Sequence, residues 1–165
     1  MLSSSDILKW FNVLKLNEPN IISYDELKNK NFIPSSVNFI LYEQIPNMGH
    51  WVLVFYNTVN HCYEFFDSYG FMIDDELKYT YYKDKKRILT EQFLETGQDL
   101  FEINDVVFQG KKQTTCGMWC AIRYFFNILG FSKKEFDNFF NQEIITDIKD
   151  DIIKVLYDEI PKIYR

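Results

Sequence analysis

The chain has 165 residues, 47% hydrophobic and 18% aromatic, enough for one domain with a bulky core and too apolar for a disordered segment. A net charge of −6 argues against non-specific DNA binding, because that affinity comes from Lys and Arg neutralising phosphates; the basic runs at Lys83, Lys85–Arg87 and Lys111–Lys112 read as solvated loop. Three cysteines, a polar start from Met1 to Lys9 and no apolar run of ~18 residues predict a reduced, soluble, intracellular protein without signal peptide or membrane span.

Ser3 to Asp6 offers capping oxygens ahead of Ile7, Leu8, Phe11 and Leu14, a spacing that predicts an amphipathic helix ending near Asn17–Pro19. A short helical stretch is expected from Tyr24, before Pro34-Ser35-Ser36 breaks the chain. Val37–Tyr42 reads as a strand. The turn Pro46–Gly49 leads into His50–Tyr56, a stronger strand, and Asn57–Asn60 turns the chain into a third, Cys62–Phe66. An antiparallel hairpin with Val52–Phe55 opposite Tyr63–Phe66 follows. Asp74–Thr96, rich in charge, is expected to be helical, and Asp105–Gln109 to be a fourth strand. Thr114-Thr115 caps a helix over Cys116–Leu129 that is apolar nearly all round and so belongs in the core, with Gly130 at its end. Helices over Lys133–Asn141 and Thr146–Glu159 complete one α+β domain, residues 1–165, without repeat or linker.

Four residues offer complementary chemistry. Cys116 falls in the first turn of a core helix, where unpaired amides and the helix dipole favour negative charge on sulfur, and Gly117 leaves room for an incoming carbonyl. Its ordinary alternative is a packed thiol. His50 would take the thiol proton and return it to a leaving amine, or else is a satisfied structural histidine; His61, in the far turn, is the discounted rival. Trp51 reads as core, with a ring over the imidazole as the second option. Asp67 shares the open end of the hairpin with His50 and would orient it, or simply cap a turn. Gln109, seven residues before Cys116, would supply an amide to an oxyanion alongside the Cys116 N–H, with Gln113 as the rival. Cys62 and Cys120 read as packing, since no second Cys or His pair completes a metal set, and no cofactor is expected.

Taken together, Gly49-His50-Trp51, Phe66-Asp67-Ser68, Gln109-Gly110 and Cys116-Gly117 resemble the adenovirus-type maturation proteases (the adenain family) and, more broadly, the Ulp/SENP-type SUMO proteases of the same clan. The resemblance covers most of the chain. It implies a papain-like core in permuted chain order, His, Asp, Gln, Cys, with a small mixed or antiparallel sheet packed against a buried central helix. It implies Cys116 as nucleophile, His50 as base, Asp67 as orienting acid and Gln109 as oxyanion donor. Such an enzyme is a cysteine endopeptidase that trims virion precursors after small, Gly-type residues, acting as a monomer on a capsid precursor in the host cytoplasm and virion; the alternative is a ubiquitin- or SUMO-like isopeptidase. The acid is usually Glu in adenain and Asp in the SUMO proteases, so the chain mixes the two patterns. Adenain-like activation by DNA and a disulfide-held peptide is not expected: the chain is acidic and no cysteine lies between Asp67 and Cys116. Small size and abundant Phe, Tyr, Asn, Lys and Ile suit a virophage, a large DNA virus or a Polinton-like element.

Overall fold

A computed structural model describes residues 1–98, 101–141 and 146–164. Helix α1, Ser4–Val13, is closed by a full capping box in which Ser3 and Asp6 exchange bonds, and it buries Ile7, Trp10 and Phe11. A short strand β1, Asn20–Ser23, follows and runs parallel to β2, Asn38–Ile45; four residues next to Pro19 carry too little pattern to predict it. Between them lies a 3₁₀ turn over Tyr24–Lys28, where a helical stretch was expected.

β2 turns at Pro46-Asn47 into β3, Met48–Asn57, which pairs antiparallel with β4, Cys62–Phe66. The hairpin register is Leu53 opposite Phe66 and Tyr56 opposite Tyr63, one residue away from the expected pairing. Burial decides this: with period-2 alternation a one-residue slip would exchange the faces of a whole strand. The fourth strand pair, β4 with β5 (Phe101–Ile103), is parallel, so the sheet is mixed with order β1-β2-β3-β4-β5.

The fourth strand was expected over Asp105–Gln109, and that segment is irregular instead. Asn104 Nδ2 donates to the carbonyls of Asp67 and Val106, which turns the chain out of the ladder despite the β-branched run. The helix expected over Asp74–Thr96 is also replaced. A 3₁₀ turn, Asp75–Tyr79, and helix α2, Ile88–Glu95, bracket an irregular stretch. Asp74, at φ 67°, receives bonds from the Tyr42 hydroxyl, the Thr90 amide and the Thr90 hydroxyl, so one carboxylate folds the segment back on itself.

Both faces of the sheet are covered. On one, α1, α3 (Cys116–Ile128), α4 (Lys133–Phe140) and α5 (Thr146–Ile163) pack Phe11, Trp119, Phe125, Phe136 and Ile153 against Phe39, Leu53 and Phe55. On the other, Tyr24, Leu27, Leu89 and Phe93 close over Ile40, Tyr42, Val52 and Val54. α3 is buried along most of its length and lies on β3. Arg123 ties it to β4 through a bidentate, fully buried pair with Glu64 at 2.7 and 2.8 Å. The architecture is α+β, and it brings the end of the β3–β4 hairpin to the N-terminus of α3.

Candidate active site

His50 lies near the start of β3, opposite Tyr42 on β2, and Asp67 is the first residue beyond β4; both are buried. The hairpin brings them together across 17 residues of sequence, with His50 Nε2 2.9 Å from Asp67 Oδ1. The same carboxylate oxygen accepts the Tyr69 amide at 2.7 Å. The Asp67 carbonyl accepts from Asn104. Tyr69 then lays its ring on the imidazole, centroids 4.5 Å apart and 20° from parallel. Trp51 does not cover the imidazole. Alternation along β3 sends it to the opposite face, where its Nε1 donates to the Leu2 carbonyl.

Cys116 is the first residue of α3, so its amide has no intrahelical acceptor and sits at the positive end of the helix dipole. Its side chain lines the same cleft as the His50 imidazole and acts on the charge of that ring. With Nε2 engaged by Asp67, Nδ1 is the ring nitrogen left for the sulfur. Burial pulls the His50 pKa down, but the charge and hydrogen bond of Asp67, and then those of Cys116, outweigh it and hold the imidazole well above its ordinary value. The favoured state is imidazolium, flanked by carboxylate and sulfur. Gly117 does not open the site to a carbonyl: a Cβ there would lie 3.2 Å from Leu2 Cβ and Trp51 Cδ1, so the glycine serves packing beneath the helix.

Gln109 is buried between the hairpin and α3. Its Oε1 accepts from the Ser68 hydroxyl at 2.6 Å, which fixes the amide with Nε2 toward the Gln113 carbonyl at 2.7 Å and, more loosely, the Tyr69 hydroxyl at 3.3 Å. The Gln113 side chain points elsewhere, its Oε1 taking a bond from Lys154. His61 is exposed at the far turn of the hairpin. The loop from Gln109 to Cys116 is clamped at both ends by Asp150 of α5. One Asp150 oxygen accepts the Gly110 amide at 2.7 Å; the other accepts the Thr115 hydroxyl and Trp119 Nε1. A cleft of about 390 Å³ opens over Met48, His50, Tyr69, Gln109 and Cys116.

No protein-family model and no solved structure matches the chain. One virophage protein is similar to it. Uncharacterized protein V9 of Sputnik virophage is 32% identical over 113 residues, which cover 64% of this chain and 63% of that protein. The chain therefore spans just under two thirds of the relative's length. That likeness points to a virophage origin.

The structure thus gathers three of the candidate residues, His50, Gln109 and Cys116, around one cleft, with the fourth, Asp67, buried and bonded to His50. It adds three that sequence reasoning missed: Tyr69, Asp150 and Glu76. Tyr69 and Asp150 act through contacts that no motif encodes. Glu76 belongs to the 3₁₀ turn over Asp75–Tyr79 and is buried, with one carboxylate oxygen, a ring nitrogen of His50 and one oxygen of Asp67 all within 4.8 Å of one another. Burial raises its carboxyl to about 7; the His50 cation opposes the rise, Asp67 adds to it, and a hydrogen bond from Gln44 opposes it. Among the described residues no helix is long and apolar enough to cross a membrane.

Proposed function

We propose that the chain is a cysteine endopeptidase of the adenain type, with a papain-like core in the order His, Asp, Gln, Cys. The observation that carries this reading is the convergence on one imidazole: Asp67 holds Nε2 at 2.9 Å, and Cys116, at the head of α3, lines the same cleft as His50 and raises its pKa together with Asp67. A thiol that has passed its proton to a neighbouring imidazole, the resulting thiolate–imidazolium pair being held by a carboxylate, is an activated nucleophile.

In this reading the Cys116 sulfur attacks the scissile carbonyl and forms a tetrahedral oxyanion. The Cys116 amide and Gln109 Nε2 receive that oxyanion, the latter exchanging its 3.3 Å contact with the Tyr69 hydroxyl for the stronger, charged acceptor. The imidazolium of His50 gives its proton to the departing amine as the carbon–nitrogen bond breaks, leaving a thioester on Cys116. His50, now neutral, takes a proton from water, and the resulting hydroxide releases the acid and restores the thiolate. Asp150 keeps the Gln109–Cys116 loop in register through both steps.

The substrate in this reading is a virion precursor, a capsid protein cut after small residues, as the resemblance to adenain-type proteases implies; the virophage relative bears only on origin. Incubating the purified chain with the capsid protein of its own virus should give discrete fragments with wild type and none with Cys116→Ala. Identical behaviour of the two would sink the assignment. A second reading, removal of ubiquitin-like modifiers, is favoured by the aspartate at position 67; turnover of a modifier–fluorophore conjugate with an intact capsid protein would establish it instead.

A further inference from the structure

Five buried side-chain polar atoms among the described residues lack a hydrogen-bond partner, and two belong to one place: Asp67 Oδ2 and Glu76 Oε2. The Glu76 side chain reaches the catalytic pair from the 3₁₀ turn over Asp75–Tyr79. Two ionised carboxylates buried this close repel each other, and neither orphan oxygen would be satisfied. One proton removes both difficulties, because a carboxylic acid donates where a carboxylate only accepts.

We propose that Glu76 is a positioning residue for the catalytic pair: its carboxyl proton is donated to Asp67 Oδ2, which holds Oδ1 of the same carboxylate against His50 Nε2. Nothing is transferred in turnover; the proton stays on Glu76 and the bond orients the acid that orients the base. The surroundings suit this. His50 and Asp67 face Glu76 from the hairpin, with the Tyr69 phenol beside them. Gln44 of β2 lines the same depression as Glu76 and favours its ionised form. Lys78, on the same 3₁₀ turn, has its ammonium 4.9 Å above the rings of Phe71 and Tyr79. Lys111 lies across the shallow depression that Glu76 and Tyr69 line. Among the described residues no lysine or arginine forms an ion pair with Glu76; the charges of His50 and Lys78 favour its ionised form, but burial outweighs them, and its neutral form persists up to about pH 7.

Loss of that proton turns a donor into a second negative charge beside Asp67. The rest of the expectation rests on the peptidase reading: kcat should fall as pH rises through about 7, with KM held, and the fall should be absent in Glu76→Gln, whose amide donates at every pH. At about pH 8.5 Glu76→Gln should exceed wild type roughly fivefold, the effect of one hydrogen bond on alignment, and near pH 5.5 the two should agree within about twofold. Glu76→Ala, which neither donates nor ionises, should be slower at low pH without the inflection; Glu76→Gln carries the test even if the alanine variant fails to fold. The second readout needs no substrate: the rate of iodoacetamide alkylation of Cys116 against pH, followed by mass spectrometry. Wild type should show an inflection near neutrality that Glu76→Gln lacks. Superimposable profiles for wild type and Glu76→Gln in either assay would overturn the proposal, even while peptide cleavage continues. A shifted alkylation profile without any cleavage would uphold the role of Glu76 and remove the peptidase.

Discussion

His50 divides its ring between two partners, and each half of that division makes a prediction. Replacing Asp67 by Asn keeps the size but removes the charge that, against the pull of burial, holds the imidazole protonated. Peptide cleavage should fall roughly 10²- to 10⁴-fold, as when a triad acid loses its charge, with little change in fold by circular dichroism. Glu76 predicts a stability effect separate from catalysis. Its folded pKa of about 7 lies above the unfolded value of 4.5, so the folded state binds the proton more tightly and loses stability as pH rises through that window. Glu76→Gln removes the ionisation. Its advantage over wild type in denaturant unfolding should therefore widen by about 2–3 kcal/mol between about pH 5 and pH 8. A constant difference across that range would count against a buried neutral Glu76. At this scale the sequence revealed the residues whose type and spacing carry chemistry: His50 and Asp67 at the ends of a hairpin, Cys116 at a helix start, Gln109 before the loop. Tyr69, Glu76 and Asp150 stayed hidden because each acts through a contact that only the folded chain makes; Asp150 lies 40 residues from the Gly110 amide that it binds.

The elements that hold the site differ in how they were built. β3 and β4 were legible because Val, Phe, Tyr and Trp recur in both and a polar turn separates them. Their register was not, since alternation permits two answers and only packing against α3 chooses. The stretch after Asp67 was misread twice for one reason: side chains compete there for backbone partners, Asn104 in one segment and Asp74 in the other. The loop between Gln109 and Cys116 depends on α5. Asp150→Asn turns a bond-accepting oxygen into an amide that confronts one of its three donors, and should cost about 2–4 kcal/mol in unfolding while lowering kcat more than it raises KM. At the other hairpin, a Cβ on Gly49 would stand 1.9 Å from the Tyr42 carbonyl oxygen. Gly49→Ala should therefore unfold the β2–β3 turn, visible as a large drop in Tm, whereas a Tm within a degree or two of wild type would show that the hairpin relaxes freely.

Across the whole molecule, a mixed sheet is sealed on both faces, and the cleft opens where the hairpin end meets the head of α3. Arg123 and Glu64 couple that helix to the sheet with no water access. Arg123→Leu alone should destabilise by about 3–5 kcal/mol through the carboxylate left behind, and adding Glu64→Leu should recover much of the loss. The succession of strand and helix patterns along the chain had indicated an α+β domain, and the likeness to a virophage protein agrees with the origin that the small size and base composition suggested. The account rests on Cys116 being activated by His50, and a Gly-Gly peptide vinyl sulfone tests that most directly. Mass spectrometry should find a single adduct on Cys116, formed with wild type and abolished in His50→Ala. Labelling spread over Cys62, Cys116 and Cys120, or unchanged without His50, would contradict it.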